Sequence, residues 1–280
     1  LLIDNLSTQR YCSLFNLPKN CSFVEIDVSK EINHSIFKNA DHVIHLAAMT
    51  DAAGSFDKAK FVEENNFEAT RCVAKECLEV GASLIHLSST SVYGTQEEKV
   101  DENCSKSNLK PQSPYAETKL KEEEWLKKQH YENGLKFVTL RFGTIAGVSP
   151  GMRFHTAVNK FSWQACMGLP ITVWKTALNQ KRPYLDILDA MKVIKLVIEK
   201  NIYDGSIYNV VTENMTVNEI VQIIQTRIKD LQIKFVDSKI MNQLSYEVLS
   251  DKIKSKGFKS QGSIKNAIEE TLDILGYRKP

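Results

Sequence analysis

Tyr115-Ala116-Glu117-Thr118-Lys119, downstream of the run SLIHLSSTSVYG at residues 83–94, is the segment on which the fold assignment turns. Pro114 pre-sets a first helical turn, and the acidic and lysine-rich residues after it are good helix formers, so a helix is expected over 114–128. On a helix, Tyr115 and Lys119 stand one turn apart on the same face. A phenol titrates near about 10 and is a poor base at neutral pH. An ammonium beside it favours the phenolate, so Lys119 is expected to lower the Tyr115 pKa. The phenol could then take a proton from a sugar or alcohol hydroxyl and return it. Such a pair also arises by chance in a chain this rich in lysine, and the alternative makes Tyr115 a half-buried aromatic and Lys119 a solvated charge. What gives the pair weight is the hydroxyl cluster Ser88-Ser89-Thr90-Ser91, at an expected strand end 26 residues upstream (Ser89 to Tyr115).

Outward from this segment, short apolar runs alternate with helix-length stretches. Leu1-Leu2-Ile3 reads as the tail of a buried strand ending at Asp4 and Asn5, and residues 23–28 as a second strand with Asp27 and Val28 at its end. Residues 41–48 read as a third, closing on Leu46, Ala47 and Ala48, followed by a helix through 61–80 that contains Asn66. Residues 83–87 and 136–142 read as a fourth and a fifth. This alternation argues for βαβ units in a parallel sheet, an α/β fold. Ligands in such sheets collect beyond the carboxyl ends of the strands, where Asp4, Asp27, Ala47, Ala48, Ser89 and Thr144 all fall. From Ser149 the texture changes to a turn-rich junction, then a helix over 155–166, a short strand over 171–174 and a helix over 190–200. A strand over 206–211 and a terminal helix over 263–275 complete the pattern, and Thr216 with Glu219 has the form of a capping box.

Composition narrows the class. Hydrophobic residues at 42% and charged residues at 25% are ordinary for a globular protein, and a net charge of +2 argues against a nucleic-acid or membrane surface driven by bulk charge. The six cysteines (Cys12, Cys21, Cys72, Cys77, Cys104, Cys166) have no CxxC or Cys/His spacing. They read as free thiols of a reducing, cytoplasmic compartment, with no metal site. No apolar run approaches a membrane span.

The motifs LLIDNLS, VIHLAAMTD, ENNFEAT, IHLSSTSVYG, PYAETK, LRFG, VNKF, KRPYLDILDA and YNVV occur in this order. In them the chain resembles the extended short-chain dehydrogenase/reductases, specifically the NAD-dependent nucleotide-sugar epimerase/dehydratase group. The resemblance implies a Rossmann-type doubly wound parallel sheet over residues 1–150, to which 183–212 contributes back, and a smaller substrate-binding domain over 151–280. It implies NAD as cofactor and a nucleotide-sugar as substrate, and leaves the oligomeric state open, a homodimer being one option. Ser89, Tyr115 and Lys119 would be catalytic. Asp4, Asn5, Asp27, Val28, Leu46, Ala47, Ala48 and Asn66 would surround the cofactor with Tyr115 and Lys119, and Asp4 would favour NAD over NADP because a carboxylate repels a 2′-phosphate. Ser89, Thr144, Asn159 and Arg182 would hold the substrate, the last two at its diphosphate. On the residues alone, Asp4 could be a turn residue, Asn66 a helix cap and Arg182 a surface charge, while His45 and His86, inside apolar strands, read as core or supporting residues.

Three departures shape the expectation. The family begins with a strand and a glycine-rich turn that cradles the pyrophosphate, whereas the first glycine here is Gly54 and the chain opens on Leu1. This suggests a truncated sequence whose missing strand belongs between those ending at Asp4 and Ala47, so that a gap or an edge is expected there. Thr90 and Ser91 stand where the 4,6-dehydratases carry an acid pair, and Thr144 where many members carry Asn. The expected activity is therefore NAD-dependent epimerisation through a transient keto-sugar. The alternatives are a reductase or dehydrogenase with net redox change, or a non-catalytic NAD-responsive binding protein.

Overall fold

The computed structural model of the chain describes residues 1–30, 36–50, 56–94, 99–175, 177–237 and 246–276. Asp51 and Gly54, in the stretch after the expected third strand, lie outside them. The strands in chain order are β1 Leu2–Asp4, β2 Phe23–Glu25, β3 His42–His45, β4 Ser83–Ser89, β5 Lys99–Val100, β6 Phe137–Phe142 and β7 Thr144–Ala146. They continue as β8 Ile171–Trp174, β9 Lys181–Asp186, β10 Asp204–Val210, β11 Glu213–Thr216, β12 Ile233–Val236 and β13 Glu247–Val248. The helices are α1 Ala59–Val80, α2 Pro114–Asn133, α3 Ala157–Cys166, α4 Ile187–Glu199, α5 Val217–Arg227, α6 Asp251–Ser255 and α7 Ile264–Ile274.

The central sheet runs β10-β6-β4-β3, every pair parallel. Successive residues of β4 serve opposite faces, as a pleated strand requires. Leu84 packs with Phe137, Val73 and Leu126 under α1 and α2, and Ile85 packs with Val138, Tyr208, Val193 and Val197 under α4. A strand covered on both sides reads as a continuous apolar run, and all six residues of β6 are buried. β10 returns from the second half of the chain to pair with β6, placing part of 183–212 in this sheet.

β1 and β2 form a parallel ribbon of their own, with no ladder to β3 among the described residues. β3 is the end strand of the central sheet, paired only with β4 among the described residues. Ile44 is 41% exposed and Leu2 40%, high values for apolar strand residues. Both β2 and β3 are also shorter than residues 23–28 and 41–48 suggested. Asp27 turns the chain by accepting the Ser29 N–H at 3.0 Å and hydroxyl at 2.6 Å, and the backbone beyond Ala48 is taken by Asn66.

In the second half, β9 pairs parallel with β7 and antiparallel with β11, and β8 pairs with β12. Helices α3, α5 and α7 close over one core with Phe161, Ile171, Ile220, Ile224, Ile268 and Leu272 inside it. Thr216 and Glu219 form the capping box of α5. No helix among the described residues is long and apolar enough to cross a membrane.

Candidate active site

Ser89 is the last residue of β4, and its Oγ caps the turn Thr90–Tyr93 by accepting the Ser91 N–H at 3.1 Å. Gly94 closes that turn at φ +60°. A Cβ there would lie 1.5 Å from the Lys110 carbonyl oxygen, so only glycine lets the loop fold back beside 110. Helix α2 begins within reach because Ser113 caps it, accepting the Ala116 N–H at 3.2 Å, and Pro114 occupies its first turn. Tyr115 thus enters at the carboxyl end of the sheet, hydrogen-bonded to Ser89 and in the field of the Lys119 ammonium.

The Tyr115 pKa is not depressed as expected. Burial pushes the phenol up, and the Glu122 carboxylate adds to that push, while Lys119, Arg153 and the Ser89 bond pull the other way and do not overcome it. Lys119 is 3% exposed and donates to Glu122 Oε2 at 2.8 Å. Burial favours the neutral amine, but Glu122 reverses that and holds the lysine above its ordinary value. Burial likewise favours a neutral Glu122, yet the ammonium and a bond to His86 hold its pKa at about 2. An ionised carboxylate only accepts, so His86 donates from Nε2, at 2.8 Å, and its Nδ1 accepts the Thr139 hydroxyl at 3.2 Å. His45 stacks near His86 with centroids 6.3 Å apart, lies 3.1 Å from the Thr70 hydroxyl, and is held neutral by burial, its pKa down at about 3. Both histidines support the site from the core.

The expected cofactor residues fall into two kinds. Asp4, at the end of β1, is exposed, with Oδ1 accepting the Leu6 N–H at 2.6 Å; Asn5 makes the same turn to Ser7. Leu46 is 60% exposed at the end of β3, followed by half-buried Ala47 and Ala48, and Val28 is half-buried beside Asp27. Asn66 lies inside α1, so it is not a helix cap. Its amide clamps the Met49 backbone from both sides, accepting its N–H at 2.8 Å and donating to its carbonyl at 3.0 Å.

On the substrate side, Thr144 opens β7, half-buried. Arg182 lines a cavity of about 190 Å³ with His155, Lys160, Phe161, Trp174 and Val217. Its guanidinium donates to the Lys181 carbonyl and the Gln180 amide oxygen, each at 2.7 Å, and stacks 5.3 Å from the Tyr246 ring, so it is not a solvated surface charge. Asn159, between cavity-lining Ala157 and Lys160 on α3, donates to the Arg153 carbonyl at 2.9 Å. Its buried Oδ1 has no hydrogen-bond partner among the described residues.

Sequence reasoning missed Glu122 and Arg153. Tyr115, Lys119 and Glu122 follow a 4-then-3 spacing on one helix face, which is a legible sign that Glu122 shares the site. Arg153 gives no such sign. It reaches Tyr115 only because the junction folds back, with its guanidinium on the Thr50 hydroxyl.

Known proteins resemble this chain in sequence and in fold. The sequence profile of the NAD dependent epimerase/dehydratase family matches residues 3–210. The chain is 28% identical to a trifunctional UDP-glucose 4,6-dehydratase/UDP-4-keto-6-deoxy-D-glucose 3,5-epimerase/UDP-4-keto-L-rhamnose-reductase of Arabidopsis thaliana. That match takes in 98% of this chain and 42% of the plant protein, so the chain spans about two fifths of that relative's length. It is 27% identical to the dTDP-D-glucose 4,6-dehydratase of Mus musculus over 99% of this chain and 81% of the mouse protein. Its fold matches a UDP-glucuronic acid 4-epimerase from Bacillus cereus, solved with UDP-glucuronic acid and NAD, at a TM-score of 0.84 and 23% identity, covering 98% of this chain and 89% of that one. The chain belongs to the NAD-dependent epimerase/dehydratase family.

Proposed function

We propose that this chain catalyses NAD-dependent epimerisation of a nucleotide-activated sugar, with Tyr115 as the acid/base. The observation that carries this reading is the meeting of Ser89, Tyr115 and Lys119 at the carboxyl end of β4, with the phenol on the serine hydroxyl. The two residues after Ser89 favour epimerisation over dehydration. Elimination of water calls for an acid and a base beside the sugar. Here Thr90 donates its hydroxyl to the Phe142 carbonyl at 3.3 Å and Ser91 offers a buried hydroxyl with no partner among the described residues, and neither is an acid.

The residues suit a dinucleotide at two of its parts. Exposed Asp4 suits ribose hydroxyls, and the ammonium of Lys119, with one N–H on Glu122, keeps two donors for the phenol and the second ribose. No glycine stands before Gly54 to cradle the pyrophosphate. We take residues 1–150 with the returning 183–212 as the cofactor half and 151–280 as the substrate half. Bound NAD supplies a reversible hydride store. Tyr115, in its minor phenolate form, takes the hydroxyl proton as the hydride of the sugar carbon leaves to that store, Ser89 holds the oxygen, and hydride and proton both return once the keto-sugar has presented its other face. Arg182 and Asn159 hold the diphosphate in the cavity past the sheet.

The test uses full-length protein, candidate nucleotide-sugars and NAD, with sugar analysed by NMR and NADH by absorbance. A new diastereomer without lasting NADH is expected. Lasting NADH would favour the net-redox alternative, and a 4-keto-6-deoxy product would overturn the reading in favour of dehydration. Tyr115→Phe should lower turnover about 10²–10⁴-fold with the fold intact.

A further inference from the structure

Resting on the reading of Tyr115 as acid/base, we propose that Glu122 is a positioning residue for that phenol. It acts through Lys119, holding the ammonium from the core side and offsetting the charge that the ammonium places on Tyr115.

Three elements build the arrangement. Lys119 and Glu122 share one face of α2, with Nζ and Oε2 2.8 Å apart, and the ion pair is sealed from water, the side chains being 4% and 0% exposed. Glu122 is anchored on His86 of β4, which is anchored on Thr139 of β6. A buried ammonium without this carboxylate would be an uncompensated charge, so the carboxylate decides where Nζ stands. Both donors converge on Oε2, and Oε1 has no partner among the described residues.

The phenol meets charged and polar groups from several elements. From α2 it faces Lys119 and Glu122, from the junction Arg153, and from β4 the Ser89 hydroxyl. Behind the pair, Glu123 acts on Lys119 and His86, but its carboxylate is already matched by Arg141 at 2.9 and 2.6 Å. His86 and His45 of β3 are kept neutral by burial. Lys119 and Glu122 therefore present themselves to Tyr115 as a nearly neutral pair. A serine or alanine at 122 would leave the same helix and the same Tyr/Lys spacing, but a phenol exposed to the whole lysine charge.

Titration of the Tyr115 phenol in the chain itself, read as tyrosinate absorbance against a matched Tyr115→Phe background, tests this. It needs neither substrate nor NAD, so its outcome does not depend on whether the chain is an epimerase. Glu122→Gln keeps the shape and a hydrogen bond to Nζ while removing the charge. Its phenol midpoint should fall by about one pH unit or more. An unchanged midpoint would overturn the proposal and leave Glu122 a purely structural partner. The neutral double variant Lys119→Met with Glu122→Gln decides the matter even where the single variant does not fold. Loss of two offsetting charges should leave the midpoint within about half a unit of the parent. A rise well beyond that would overturn the proposal by showing that the lysine acts unopposed.

Discussion

Burial outweighs charge at Tyr115 and His45, whereas charge outweighs burial at the Lys119–Glu122 pair. Tyr115 is the plainest case, since desolvation outweighs a lysine one turn away. His45 shows the same rule in the core. Its folded pKa of about 3 lies below the ordinary 6.5, so its stabilising contribution is present above 6.5 and is lost as pH falls toward 3. Between pH 7 and pH 5 this amounts to about 2 kcal/mol, and urea unfolding at the two pH values should show a smaller loss in His45→Asn than in the parent. An equal loss would place the acid sensitivity elsewhere. If Arg182 grips the diphosphate as proposed, Arg182→Ala should raise the nucleotide-sugar dissociation constant about 10- to 150-fold with NAD affinity nearly unchanged. A parallel fall in NAD affinity would assign Arg182 to the cofactor or to the fold.

Helix α2 owes its place to the residue next to Glu122. Glu123 accepts both Arg141 bonds and the Ser88 hydroxyl at 2.6 Å, tying the helix to β4 and β6. Glu123→Ala would strand a buried guanidinium and should cost about 3–5 kcal/mol in denaturant unfolding; a loss near zero would mean that water or another acid replaces it. The ribbon β1–β2 is held far less. Its amides should exchange with solvent much faster than those of β4 and β6, and equal protection would contradict its separation from the central sheet. The alternation of apolar runs made the central strands, α1, α2 and the Thr216 capping box legible in sequence. It overran the ends of β2 and β3, because side chains of Asp27 and Asn66 capture the backbone there. It did not show β9 as a strand, since Pro183 lacks an N–H, yet Tyr184, Leu185 and Asp186 carry the pairing with β7. Ser89, Tyr115 and Lys119 were legible as a local spacing. Arg153 was not, because what brings it to the phenol is a long-range fold-back.

Across the molecule, the two halves are joined over the carboxyl ends of the strands. Arg10 donates to the Gly151 carbonyl at 2.7 Å, Arg153 reaches Thr50, and β10 returns to the central sheet beside β6. On the proposed reading, phenol, serine hydroxyl and lysine serve the cofactor half and Arg182 with its cavity serves the substrate half, one cleft that would hold a sugar by its diphosphate while its ring turns over. Chemistry confined to one such cleft fixes the path of one hydrogen. That path is read by following a nucleotide-sugar deuterated at the reacting carbon through turnover by the full-length protein in ordinary water with NAD. Hydride removal and return within one site predicts that the epimer keeps its deuterium at that carbon. Deuterium lost to water, or found in free reduced cofactor, would contradict it.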